Sequence, residues 1–130
     1  MKQCNNNCGL RYQTIYILFG CLALLVVTAA GLVSVSGGSV HHADKLMHVT
    51  IFMLLALWFT CLLPKRYWII FGSMVVYGLL LEWLQGLTSY RHADGYDLVA
   101  DAVGAGAGTM IGARWGHGML VALEARLTLN

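Results

Sequence analysis

The stretch Ile15–Val35, IYILFGCLALLVVTAAGLVSV, decides the fold, because it runs its whole length without one charged residue. About 20 mostly apolar residues are needed for a helix to cross the hydrocarbon of a bilayer, so this stretch is read as a transmembrane helix. Three further apolar stretches follow it. Leu46–Leu63 carries a single ionisable interruption at His48, apart from Cys61, and is halted by Pro64. Tyr67–Leu87 contains Glu82 and Gln85, and the weaker Leu98–Ala113 is rich in Gly and Ala, contains Asp101 and runs into Arg114-Trp115. The connections Ser36–Lys45, Pro64–Arg66 and Thr88–Asp97 are short. The expected architecture is therefore all-α: an integral membrane bundle of four transmembrane helices at about 15–35, 46–63, 67–87 and 97–115. Segment 1–14 precedes it on the cytoplasmic side. Segment 116–130 follows it, with Met119–Leu129 lying along the interface rather than crossing.

Composition agrees with the bilayer. Of 130 residues, 58% are apolar and 11% charged, against about 25% charged in an average soluble domain. A small soluble body cannot bury so much apolar surface. This argues against a soluble enzyme and against a disordered chain. Eight Lys and Arg against six Asp and Glu give +2, with no basic cluster beyond Lys65-Arg66, so no nucleic-acid face can be assembled. Cys4 and Cys8 precede the first apolar stretch, while Cys21 and Cys61 lie inside apolar stretches. No neighbouring residues complete a tetrahedral metal set around the first pair.

A signal peptide is the alternative reading of the first stretch, with Thr28-Ala29-Ala30-Gly31 as a cleavage site. The apolar run continues past that site to Val35, so an uncleaved helix is favoured. Basic residues near helix ends then set the orientation. With the N-terminus inside, Lys2, Arg11, Lys65, Arg66, Arg114 and Arg126 are cytoplasmic, and only Lys45 and Arg91 are outside. Both termini are expected in the cytoplasm.

Ionisable groups in hydrocarbon are costly and usually mark pairing or function. Asp44 and His48 are four apart and share a helix face, as do Asp97 and Asp101, while Glu82 and Gln85 are three apart. Gly78 lies one turn deeper on the Glu82 stripe and leaves room for a neighbour or for water. Arg91 and Asp94 lie in the outer loop between the third and fourth helices. Asp44, Lys45, His48, Glu82, Gln85, Arg91, Asp94, Asp97 and Asp101 are thus expected to converge at one depth toward the outer side. Glu82 lies roughly 7.5 Å from the midpoint of its helix. Lys45 and Arg91 are the natural partners of the carboxylates, Arg91 through its bidentate fork. The competing reading is hydrogen-bonded cohesion between helices, which suits Gln85 best. His41, His42 and His92 are read as solvated.

Gly104, Gly108, Gly112 and Gly116 recur every four residues. Gly104, Gly108 and Gly112 fall within about 60° of Asp97 at 100° per residue. Small residues at this spacing let helix backbones approach closely. The stripe is expected to pack against a neighbouring helix and hold the carboxylates inward, toward the second and third helices. A homo-oligomer seam is its less favoured use.

Three pieces in order, Asp44-Lys45-Leu46-Met47-His48, Glu82-Trp83-Leu84-Gln85 and Arg91…Asp94…Asp97-Leu98-Val99-Ala100-Asp101-Ala102-Val103-Gly104, resemble the VanZ-like family of small bacterial membrane proteins over about Asp44–Gly112. The likeness is to short, stand-alone members. One departure is Asp101, where many relatives carry Asn, so this chain has an additional carboxylate. The resemblance implies a multi-pass protein of the bacterial inner membrane. It implies neither a defined reaction nor a resistance function.

Two functions compete on these residues. The first is a binding or accessory module whose outward polar pocket recognises an envelope lipid or glycolipid headgroup. Arg91 and Lys45 would meet an anion, and His48, Glu82 and Asp101 would orient it. The second is a membrane-embedded hydrolase or transferase with His48 or Glu82 as general base, although no nucleophile is evident. A proton relay or transporter ranks last, because the carboxylates reach only one leaflet. No cofactor is expected; His48, Asp44, Glu82 and Asp101 are of types that ligate a divalent cation, but with a single His among them no metal is assigned.

Overall fold

The computed structural model describes residues 12–33, 41–88 and 95–128, the backbone alone at 41–44 and 127–128. Among the described residues every regular element is helical: α1 (Gln13–Leu32), α2 (His41–Leu62), α3 (Tyr67–Gly86), α4 (Gly95–Ile111), a π-helical turn (Gly112–Gly116) and α5 (His117–Thr128). Three stretches are long and apolar enough to cross a membrane: α1, Lys45–Leu62 of α2, and α3. At 17 residues and with two aspartates, α4 does not reach that length alone.

The helix ends depart from the apolar ends in instructive ways. The first helix stops at Leu32 rather than Val35, and the second begins at His41, ahead of Leu46. Polar side chains are no obstacle to a helical backbone, which satisfies its own hydrogen bonds; the apolar edge marks the hydrocarbon boundary, not the helix end. His48 accordingly sits two turns inside α2. At the other end of α2, Pro64 stops the helix, and Lys65 turns the chain at φ 70°, a left-handed conformation uncommon outside glycine. Past Ile111 the expected boundary near residue 115 brings no break: the π-helical turn carries α4 directly into α5.

Hydroxyls are satisfied locally. Thr28, Thr50, Thr60 and Thr109 each donate to the carbonyl four residues back, which lets polar side chains sit on helices surrounded by apolar groups.

Packing centres on α2. Its closest partner is α4, whose glycines face it directly. A methyl group at Gly104 would strike the Val49 carbonyl oxygen, one at Gly108 the Met53 carbonyl oxygen, and one at Gly112 would lie 2.7 Å from Thr60 Cβ. Phe52, Leu55, Ala56, Ile70, Met74 and Ala105 form the core between α2, α3 and α4. The first helix is an outer layer, with only Gly20 buried. It is held by Trp58 Nε1 donating to the Tyr16 carbonyl at 3.1 Å and by Tyr77 Oη donating to the Leu24 carbonyl at 2.8 Å. Many large apolar side chains are exposed along the helices, as on a surface that faces lipid. Trp68 and Trp115 are exposed toward one end and Trp83 and Tyr96 toward the other, the placement of aromatic belts at two interfaces.

The two ends differ in chemistry. One end joins the start of α1, the Leu63–Arg66 turn, the π-helical turn and α5. Gln13 Nε2 donates to the Leu62 carbonyl at 3.0 Å, His117 Nδ1 to the Cys61 carbonyl at 2.9 Å, and the Tyr12 amide to Glu124 Oε1 at 3.1 Å. Lys65, Arg66 and Arg114 lie on this end. The opposite end gathers Glu82, Asp97 and Asp101.

Candidate functional site

Three helices bring chemistry to that opposite end. From α2 come Lys45 and His48, one and two turns into the helix. From α3 comes Glu82, four residues before the helix ends at Gly86, about 6 Å of helical rise. From α4 come Asp97 and Asp101, one turn apart on the face that meets α2 and α3.

Two pairs join α2 to α4. Lys45 Nζ donates to Asp97 Oδ1 at 2.9 Å, with the lysine side chain 30% exposed and the aspartate 13%. Lys45 also lies over the Tyr96 ring, 5.4 Å from its centroid, which adds a cation–π contact at the rim. Deeper, His48 Nδ1 and Asp101 Oδ1 are 2.9 Å apart, and the Asp101 side chain is fully buried. With Asp101 ionised, Nδ1–H is the donor and the ring presents Nε2 on its far side. The rim pair is solvent-screened and contributes little to stability. The buried pair is different, because removing one partner strands the other in a low dielectric at a cost of about 3–5 kcal/mol.

The third carboxylate completes the cluster. Glu82 is only 8% exposed; it faces the bundle and not the lipid. A ring nitrogen of His48, an oxygen of Glu82 and an oxygen of Asp97 lie within 4.8 Å of one another. Asp101 reaches the same level because α3 has a glycine there. A Cβ at Gly78 would stand 2.8 Å from Asp101 Oδ2 and 3.4 Å from the Phe52 ring. That oxygen is buried and makes no hydrogen bond among the described residues.

Lys45, His48, Glu82, Asp97 and Asp101 thus stand together. Gln85 is turned elsewhere: its amide nitrogen donates to the Gly31 carbonyl at 3.2 Å, so it ties α3 to the last turn of α1 and does not join the carboxylates. The side chain of Asp44 and all of Arg91 and Asp94 lie outside the described residues. Gly104, Gly108 and Gly112 contact α2 and bring the two aspartates against it. Tyr96 joins the site through Lys45 without being one of the residues the sequence singles out. Its position beside Asp97 is the only signal the sequence carries for it.

The described cluster holds three carboxylates against one lysine and one histidine. Such a set accepts hydrogen bonds from hydroxyl groups, binds cations, or lets an oriented imidazole move a proton. No protein-family model matches this sequence, and no curated protein and no solved structure matches it either.

Proposed function

We propose that this chain is a VanZ-like protein of the bacterial inner membrane that binds the polar headgroup of an envelope lipid or glycolipid at its acidic end. The reading adds a fourth crossing, made by the helical path from Gly95 to Gly116, with both termini in the cytoplasm. The observation that carries it is the convergence of Lys45, His48, Glu82, Asp97 and Asp101 from three helices onto one end of an otherwise apolar bundle. Helix cohesion alone is served by hydrogen bonds of about 1 kcal/mol each, as at Gln85 and Tyr77, and does not call for three carboxylates. Carboxylates that accept from sugar or polyol hydroxyls suit a glycosylated headgroup. Lys45, with Arg91 from the adjoining loop, supplies the attraction for an anionic part.

A second reading rests on the His48–Asp101 pair. A carboxylate that fixes the tautomer of an imidazole is the arrangement of a general base, so a hydrolase or transferase acting on the same headgroup is the alternative. One experiment separates the two. Purified protein is incubated with envelope lipid extract and the lipids are analysed by mass spectrometry. Binding predicts chemically unchanged lipids that co-purify with the wild type and are lost from Glu82→Gln and His48→Ala. An enzyme predicts new product peaks that vanish in the same variants. Lipid profiles identical in wild type and both variants would reject both.

A further inference from the structure

We infer that the cluster is also a divalent metal site, with His48, Glu82 and Asp97 as ligands and Asp101 as the residue that orients His48. This goes beyond headgroup binding and does not depend on it. The ligand atoms come from three different helices yet lie within 4.8 Å of one another. For metal bonds of about 2.1 Å the edge of a tetrahedron is about 3.4 Å, so the side chains must draw inward by about 1 Å to close on an ion.

The second observation is the environment of His48. Metal-bound histidines usually donate their other ring N–H to a carboxylate, which fixes the tautomer and raises the basicity of the ligating nitrogen. The pair formed by His48 Nδ1 and Asp101 Oδ1 at 2.9 Å has this form, and Nε2 is the nitrogen a metal would take. Asp101 is 1% exposed, and its Oδ2 makes no hydrogen bond among the described residues. Glu82 and Asp97 add carboxylate oxygens to one imidazole, a mixed N/O donor set that suits a dication. Asp97 can serve the metal while bonded to Lys45, since a carboxylate has about four lone-pair sites. One imidazole with two carboxylates suits zinc or manganese, and three protein ligands leave coordination positions open for water or a headgroup oxygen.

The test uses full-length protein in detergent, stripped with a chelator and dialysed against Zn²⁺ or Mn²⁺ alone, without added lipid, with bound metal counted by mass spectrometry. The expected result is one ion per chain, lost in His48→Ala and Glu82→Gln and weakened about 10- to 100-fold in Asp101→Ala, the range for a lost orienting residue. Lys45→Met is expected to tighten binding, because it removes the cation competing for Asp97. A gain of affinity cannot come from misfolding. No bound ion in the wild type, retention of the ion by His48→Ala, or weaker binding in Lys45→Met would overturn the proposal. Lipid co-purification with the chelator-stripped protein tests the headgroup reading separately, so either reading can fail alone.

Discussion

At Gly108 a methyl group would run into the Met53 carbonyl oxygen, whereas at Gly72 nothing lies within 4 Å. Alanine has a better helix propensity than glycine by about 1 kcal/mol at both sites. At Gly72 that gain stands alone, so Gly72→Ala is expected to leave stability unchanged or raise it by up to about 1 kcal/mol. At Gly108 the obstacle is backbone, which cannot rotate aside, and overpacking costs about 1–3 kcal/mol. Gly108→Ala is therefore expected to lower the midpoint of thermal unfolding in detergent, while Gly72→Ala does not. The glycine spacing was legible in the sequence because a four-residue repeat maps directly onto a helix face. That Gly78 leaves room beside Glu82 was legible for the same reason; that Asp101 fills it was not. The contact of Lys45 with Tyr96 was not, since it joins residues from different helices whose rotation about their axes no spacing records. Gln85 shows the opposite limit. Its spacing from Glu82 put it on the pocket face, but three residues make 300° at 100° per residue, and that offset is enough for its amide to reach α1.

Among the helices, α1 depends on a few specific contacts rather than on broad burial. Tyr77 supplies two of them: Tyr77 Oη donates to the Leu24 carbonyl and lies 3.0 Å from Thr28 Oγ1. Trp58 supplies another, with its ring beside Gly20 and its indole N–H on the Tyr16 carbonyl. Tyr77→Phe keeps the ring that packs on Phe52, at 5.7 Å between centroids, and removes only the hydroxyl. The expected loss is about 1 kcal/mol, read as faster amide hydrogen exchange confined to α1 while α2 and α4 keep their protection. Equal acceleration in all helices would show that α1 is not a separable layer. That the first stretch is a helix was legible from its apolar length alone. Its neighbours were not, because a uniformly apolar helix has no face that names its partner. The continuation of α4 into α5 was hidden for a different reason: Arg114-Trp115 closes the apolar stretch, yet the π-helical turn Gly112–Gly116 preserves the helical path.

At the scale of the whole molecule, the distribution of charge gives the strongest prediction about how the bundle sits. Lys65, Arg66 and Arg114 lie at the end where α1 starts and α5 packs, and Glu82, Asp97 and Asp101 at the other. Basic residues near helix ends are retained in the cytoplasm, so the basic end should face inward and the cluster outward. The geometry of the fourth helix bears on the same point. By itself α4 spans about 25 Å at 1.5 Å per residue, short of a hydrocarbon layer of about 30 Å, whereas Gly95–Gly116 spans about 33 Å. A fourth crossing therefore requires the π-helical turn to lie inside the membrane and α5 to begin at the cytoplasmic surface, where Tyr12 of the N-terminal side meets Glu124. Reporter fusions test this directly. Fusions after Arg66 and after Asn130 are expected to report the cytoplasm, and a fusion after Arg91 the outside. An external Arg66 fusion would invert the bundle. An external Asn130 fusion with a cytoplasmic Arg66 fusion would mean that the helical path after Gly95 does not cross, leaving three spans and the carboxylate cluster supported by a helix that ends within the outer leaflet.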